Sequence, residues 1–190
     1  ECTSQGIQAI VGRSDLLRKI SFPKWIIVVS STITALINFL INLCVIIVFA
    51  LLNGVTPSFT WLLAPLVILE LYLLSLGIAF FLGSINVKYR DISSIWEVLM
   101  QALFYAVPII YPITMVSASS VVAAKVLLLN PIAQVIQDAR YLLITNQSIT
   151  VWNFIDNIFL RFLPVLITLF ILTIGSIYFR KHSKYFAEEA

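Results

Sequence analysis

The sequence predicts an all-α integral membrane protein, and three observations carry that prediction. Of its 190 residues, 61% are hydrophobic and only 11% charged. Its mean hydropathy of +1.02 lies far above that of a soluble domain of this length. Four apolar runs, 25–52, 59–85, 95–116 and 158–179, are each long enough for a helix to cross a hydrocarbon core, which takes about 20 residues. Backbone groups in lipid must be bonded within their own segment, so these runs are expected as helices.

The chain begins "ECTSQG" without an initiator Met, and the expectation is a processed chain or a piece of a longer one. Ile7, Ile10, Val11, Leu17 and Ile20 make a helical stripe, with Arg13, Asp15, Arg18 and Lys19 largely off it. The spacing predicts an interfacial helix over 7–22 that ends at "SFP", where Pro23 disfavours helix for Phe22. Cys2 and Cys44 lie too differently, one near the start and one inside an apolar run, for a disulfide to be expected.

Polar residues inside the runs are the candidate functional groups. In the first run Ser31, Thr34, Asn38 and Asn42 share one side of a helix. They serve either helix–helix hydrogen bonding or the wall of a hydrated pathway. A tight turn, "NGVTPS", leads to the second run. Glu70 lies near the middle of that run, where an ionised acid costs about 2.5–3.5 kcal/mol. It is expected to be protonated, paired or facing water, with structural pairing and a transport role both open. Ser75, Ala79 and Gly83 recur every four residues, a small-residue seam that permits close helix packing.

The third run carries "FYAVPIIYPI". Pro108 removes the donor for the Phe104 carbonyl and Pro112 the donor for that of Pro108, so this helix is expected to kink or break. Phe104, Tyr105 and Tyr111 surround the break, either as interfacial aromatics or as ring faces for sugars to stack on. The segment 117–145 reads as two short helices, 117–129 and one starting at Pro131 with Asn130 as its cap. In the second, Ile132, Val135, Ile136, Ala139 and Leu142 form the apolar stripe, and Gln134, Gln137, Asp138 and Tyr141 fall elsewhere. A single span through both would put Gln134, Gln137, Asp138 and Arg140 in lipid. Two amphipathic helices at the outer face are expected instead.

The twelve basic residues divide unevenly. Arg13, Arg18, Lys19, Lys24, Lys88, Arg90, Arg180, Lys181 and Lys184 fall on one side of the predicted spans, and Lys125, Arg140 and Arg161 on the other. The larger set marks the cytoplasmic side and places both termini there. Clustering at the ends of apolar runs points to a membrane surface and not to nucleic acid, despite the net charge of +3. The sequence holds no GxxxxGK[ST] phosphate loop, no His/Cys cluster for a metal, and a single histidine, His182, beside Arg180 and Lys181. Catalysis by this chain is not expected. "NQS" at 146–148 matches a glycosylation sequon, a weak three-residue pattern.

Taken together, "LLRKISFPK", "INVKYRDIS", "VPIIYP", "LNP" and the ending "FRKHSKYFAEEA" resemble, in order and spacing, the membrane subunits of ABC-2-type exporters. The resemblance covers nearly the whole chain. It is nearest to the polysaccharide and polyol-phosphate permeases that move O-antigen or teichoic acid precursors.

That resemblance implies a multi-pass subunit of the bacterial cytoplasmic membrane that pairs with a second copy of itself. Two ATP-binding subunits would carry the ATP and Mg, with no cofactor on this chain, and the substrate would be a lipid-linked glycan. The positions matching the family's ATPase-docking segments are Asp15, Leu17, Arg18 and Lys19, then Lys88, Tyr89, Arg90 and Asp91. The competing reading makes Lys88 and Arg90 topology markers and Asp91 a helix cap. The external helices of 117–145 match the family's proposed exit gate. Asn38, Asn42, Glu70, Phe104, Tyr105 and Tyr111 would line the pathway around the break at Pro108 and Pro112. The family has six spans, so the four seen are expected to be the last four of an N-terminally incomplete domain. An ABC-2 exporter of drugs or small lipids, and a membrane anchoring protein without transport, are the alternatives.

Overall fold

The computed structural model describes residues 1–13, 23–184 and 186, and every element among them is helical. In chain order these are α1 (Cys2–Val11), α2 (Trp25–Leu52), a 3-10 helix (Phe59–Leu63), α3 (Ala64–Lys88), α4 (Ile92–Ala106), α5 (Ile113–Ser119), α6 (Val121–Leu128), α7 (Pro131–Leu143), α8 (Val151–Phe154), α9 (Ile158–Arg161) and α10 (Leu163–His182). Among the described residues three stretches, Trp25–Leu52, Phe59–Lys88 and Leu163–His182, are long and apolar enough to cross a membrane. Much of their apolar surface faces outward, as lipid or neighbouring helices require and water does not tolerate.

The chain forms two units. One comprises Glu1–Ile41, Tyr72–Met100 and Leu169–Ala190. Its core joins Ile10, Ile27, Val28, Ala79, Phe80, Val87, Phe179 and Phe186. The seam read from the sequence is real. Gly6 of α1 sits so close to Ala79 that a Cβ there would lie 2.5 Å from the alanine methyl, and a Cβ on Gly83 would meet the Gly6 carbonyl at 3.1 Å. On another face of α3, Gly77 packs against the backbone of α10, where its Cβ would lie 2.6 Å from the Leu172 Cα. Polar bonds also join α4 to α1, α3 to α1 and α2 to α3. Trp96 Nε1 donates to Thr3 Oγ1 at 2.9 Å, Asn86 Nδ2 to the Ile7 carbonyl at 3.3 Å, and the Thr32 and Tyr72 hydroxyls meet at 3.3 Å.

The helix expected over 7–22 begins earlier, at Cys2, and ends at Val11, with Gly12 and Arg13 forming a turn onto Gln8 and Ile10. Its continuation, 14–22, lies outside the described residues.

The second unit comprises Asn42–Leu71 and Gln101–Thr168. Its core gathers Ile113, Ala124, Leu128, Val151 and Ile155. The run expected as a span over 95–116 is divided. The 15-residue helix α4 ends at Ala106, and α5 starts only after Pro112, whose ψ of 140° is extended backbone. The two prolines lack the donors a continuous helix needs there. The span expected from 158 is interrupted at Phe162, just before Pro164, for the same reason. The helices α6 and α7 stay separate, bent by 93°. Asn130 caps α7 as its sequence predicts, its Oδ1 accepting from Ile132 N at 3.0 Å ahead of Pro131.

Candidate functional site

Three groups of candidate residues occupy distinct places. The first is the turn between α3 and α4. Lys88 is the last residue of α3, the Tyr89 N–H bonds back to Ile85, and Ile92 N–H closes the turn on the Tyr89 carbonyl at 3.1 Å. Asp91 starts α4 through its backbone, its carbonyl accepting from Ile95 at 3.1 Å. Lys88, Tyr89, Arg90 and Asp91 are all exposed, with the Lys88 ammonium 5.6 Å from the Tyr89 ring centre. Four side chains of mixed charge thus stand outward on a tight, hydrogen-bonded turn. The other sequence-matched docking residues, Asp15, Leu17, Arg18 and Lys19, lie outside the described residues.

The second group surrounds the break after α4. Val107 and Pro108 are buried, and Phe104 and Tyr105 stand outward with their rings edge to face at 5.6 Å. Two side chains satisfy carbonyls the break leaves open. The Tyr111 hydroxyl donates to Ala106 O at 3.1 Å, and Arg140 Nη2 donates to Ile109 O at 2.8 Å. Sequence reasoning assigned Arg140 no part here. Its only signal was a positive charge on the side poor in them.

The third group is a buried polar cluster. Gln134 and Asp138, one helical turn apart on α7, present the same face, and Glu70 comes from α3. The Gln134 amide nitrogen, which carries two hydrogens, donates to Asp138 Oδ2 at 2.6 Å and to Glu70 Oε2 at 3.4 Å. Gln134 is 3% exposed, Asp138 6% and Gln137 2%. The expectation that these polar residues would sit away from the packed side of an amphipathic helix is corrected here. The helix buries Gln134, Gln137 and Asp138 more deeply than Ile132, Ile136 and Ala139 of the expected apolar stripe, and Glu70 on α3 supplies a polar partner for Gln134. Glu70 Oε1, Gln134 Oε1, Asp138 Oδ1 and Gln137 Nε2 are buried without hydrogen-bond partners among the described residues. Such a patch holds hydrogen-bonding capacity that the surrounding side chains leave unused.

The structure brings Glu70 to Gln134 and Asp138, and Tyr111 to the break. Asn38 and Asn42 lie on exposed positions of α2. Among the described residues no three His, Cys, Asp or Glu side chains gather as a metal site would need.

No protein-family model matches the chain. It is 33% identical over 126 residues to the O-antigen export system permease protein RfbA of Myxococcus xanthus, covering 66% of this chain and 48% of that one. This similarity supports the permease family that the sequence motifs resemble. A Klebsiella pneumoniae protein of the same name matches this chain over 185 residues at 27% identity, 95% of this chain and 66% of its own length. Another from that organism is 26% identical over 136 residues, 70% of this chain and 50% of the relative. The chain thus spans between about half and two thirds of the curated relatives it matches.

Proposed function

We propose that this chain is the membrane-spanning subunit of an ATP-driven ABC exporter that moves a lipid-linked polysaccharide or teichoic-acid-type polymer across the bacterial cytoplasmic membrane. One observation carries the reading: O-antigen export permeases match up to 95% of the chain. The physical features agree with it. A subunit of this kind needs helices for the bilayer, a rigid outward feature for a separate ATPase to hold, and polar or aromatic groups at membrane depth.

The turn at 88–91 is the docking feature. It continues directly from α3, so a force applied there acts on a helix and not on a slack loop. Asp15, Leu17, Arg18 and Lys19 join it on the cytoplasmic side, to which the nine-to-three charge asymmetry assigns both termini. A second copy of the chain and two ATP-binding subunits carrying ATP and Mg complete the transporter. Asn38, Asn42, Glu70, Phe104, Tyr105 and Tyr111 contribute to the polymer's path, and the helices α6 and α7 stand at its exit.

The test is to purify the full-length protein in mild detergent from its own cells and take intact masses of the complex. An ATPase present in equal copy number, with turnover stimulated by a sugar-lipid, supports the reading. Stimulation by a small drug and not by glycan favours a drug or small-lipid exporter. A permease that comes alone favours an anchoring role.

A further inference from the structure

In the second unit, the turn after α2 and the end of α7 enclose a cleft of about 370 Å³, within the roughly 300–1,000 Å³ range of small-molecule sites. Its lining includes Asn53, Gly54, Thr56, Trp61, Tyr141 and Asn146. The cleft is built, not incidental. The Gly54 φ of +85° turns the chain sharply after α2, and Thr60 Oγ1 donates to the Leu142 carbonyl at 3.1 Å, fixing the 3-10 helix to the end of α7.

Three properties define what fits. Two aromatic rings, Trp61 and Tyr141, line it, and neither the indole N–H nor the phenol hydroxyl makes a hydrogen bond among the described residues. Acceptors are also at hand. Among the described residues Asn53 uses only its amide nitrogen, on the Phe49 carbonyl at 2.8 Å, and at the end of α7 the carbonyls of Tyr141 and Leu143, both in the lining, accept no hydrogen bond. Among the described residues no charged side chain lines the cleft. Helix C-termini carry partial negative charge, so an anion is repelled and a neutral donor-rich ligand is favoured. A ligand with an apolar face for the rings and several hydroxyls that both donate and accept meets all three conditions.

We infer that this cleft holds one neutral sugar residue of the exported polymer and discriminates against phosphate-bearing units. The inference rests on the polysaccharide-export reading and deepens it. Trp61 and Tyr141 give the ring faces and donors, and Asn53 Oδ1 with the Tyr141 and Leu143 carbonyls ending α7 gives the acceptors. A repeating polymer passing the cleft would then be read residue by residue through shape and hydroxyl pattern, with no charge involved.

The experiment uses the full-length permease with its ATPase partner in nanodiscs. Binding is measured by saturation-transfer NMR for lipid-free mannose, rhamnose and galactose oligosaccharides, one at a time, and for poly(glycerol phosphate) of matched length. Export of the cell's own polymer is followed separately in whole cells. The expected result is that at least one neutral oligosaccharide binds and poly(glycerol phosphate) does not. Trp61→Ala should weaken binding about tenfold and Tyr141→Phe by a few fold, tenfold being 1.4 kcal/mol. Trp61→Phe, which keeps a ring but loses the donor, should fall between wild type and Trp61→Ala, separating recognition from misfolding. Neutral binding unchanged in all three variants overturns the cleft while leaving export intact. Equal binding of poly(glycerol phosphate) overturns its neutral selectivity. Loss of the gene with no loss of surface polysaccharide overturns the export reading itself, and the cleft assignment with it.

Discussion

Arg140 donates from Nη2 to the carbonyl of Ile109 at 2.8 Å, tying α7 to the irregular segment between α4 and α5. Ile109 lies between Pro108 and Pro112, where no helical donor is available to its carbonyl. A hydrogen bond from a charged group is worth about 1.5–3 kcal/mol. Arg140→Ala should therefore lower stability by about that much, measured as thermal unfolding in detergent. Arg140→Lys should recover part of the loss, because an ammonium reaches as a point charge but lacks the fixed fork of the guanidinium. An alanine variant that melts with wild type would show that the break holds its shape without this bond.

The Gln134 amide joins Asp138 and Glu70 through one nitrogen. Replacing it with leucine keeps most of the volume and removes the shared donor from the buried Asp138 carboxyl and the half-buried Glu70 carboxyl. Gln134→Leu should cost about 2–3 kcal/mol, the loss of a buried partner and not of packing. A double-mutant cycle with Asp138→Leu makes the cause visible. Groups in one hydrogen-bond network couple by about 0.5–3 kcal/mol, whereas independent sites add. Strict additivity in urea or thermal unfolding would separate Gln134 from Asp138 and remove the network.

These residues also show where sequence reasoning stops. The break after α4 was legible because each proline removes a donor at a known offset, and the cap at Asn130 because its chemistry is local. The Ser75–Ala79–Gly83 seam was legible as a packing surface, but its partner was not. That Gly6 of α1 fills it depends on two segments more than 70 positions apart meeting. Glu70 was read as needing a partner, and polar residues on α7 were noted separately. Nothing local says that they pair, so the helix was expected to face its polar side outward. The charges at 88–91 were legible as an exposed turn, since Lys88, Arg90 and Asp91 interrupt two apolar runs.

Gly77 and Gly175 offer a test of close packing between α3 and α10. A Cβ on Gly77 would lie 2.6 Å from the Leu172 Cα, and one on Gly175 would run into the Gly77 carbonyl. Backbone cannot move aside as a flexible side chain can. Gly77→Ala and Gly175→Ala should each destabilise by about 1–3 kcal/mol, in the range of overpacking. Gly12→Ala is the control. Its Cβ would meet only the Gln8 carbonyl at 3.2 Å, and its φ of −68° suits any residue, so it should be near neutral. Equal effects at all three positions in thermal unfolding would mean that the α3–α10 contact is looser than its geometry states.

The docking proposal for 88–91 is tested by exchanging two charges, not by deleting them. Arg90→Asp combined with Asp91→Arg keeps the loop's net charge, so the nine-to-three division of basic residues is preserved. Both side chains are exposed, and the turn is held by backbone bonds together with Ser93 Oγ on the Arg90 carbonyl at 3.2 Å, none of which the exchange removes. Membrane insertion and yield should be unchanged. A partner that reads these charges in order should lose affinity, by about tenfold for a change of 1.4 kcal/mol. Recovery of the ATPase with the purified permease, measured against salt concentration, is the readout. Charged contacts between partners weaken as salt rises, so the wild-type complex should dissociate with salt and the exchanged variant should be weak at every concentration. Undiminished ATPase recovery would leave Arg90 as a topology marker and move the docking role to other residues.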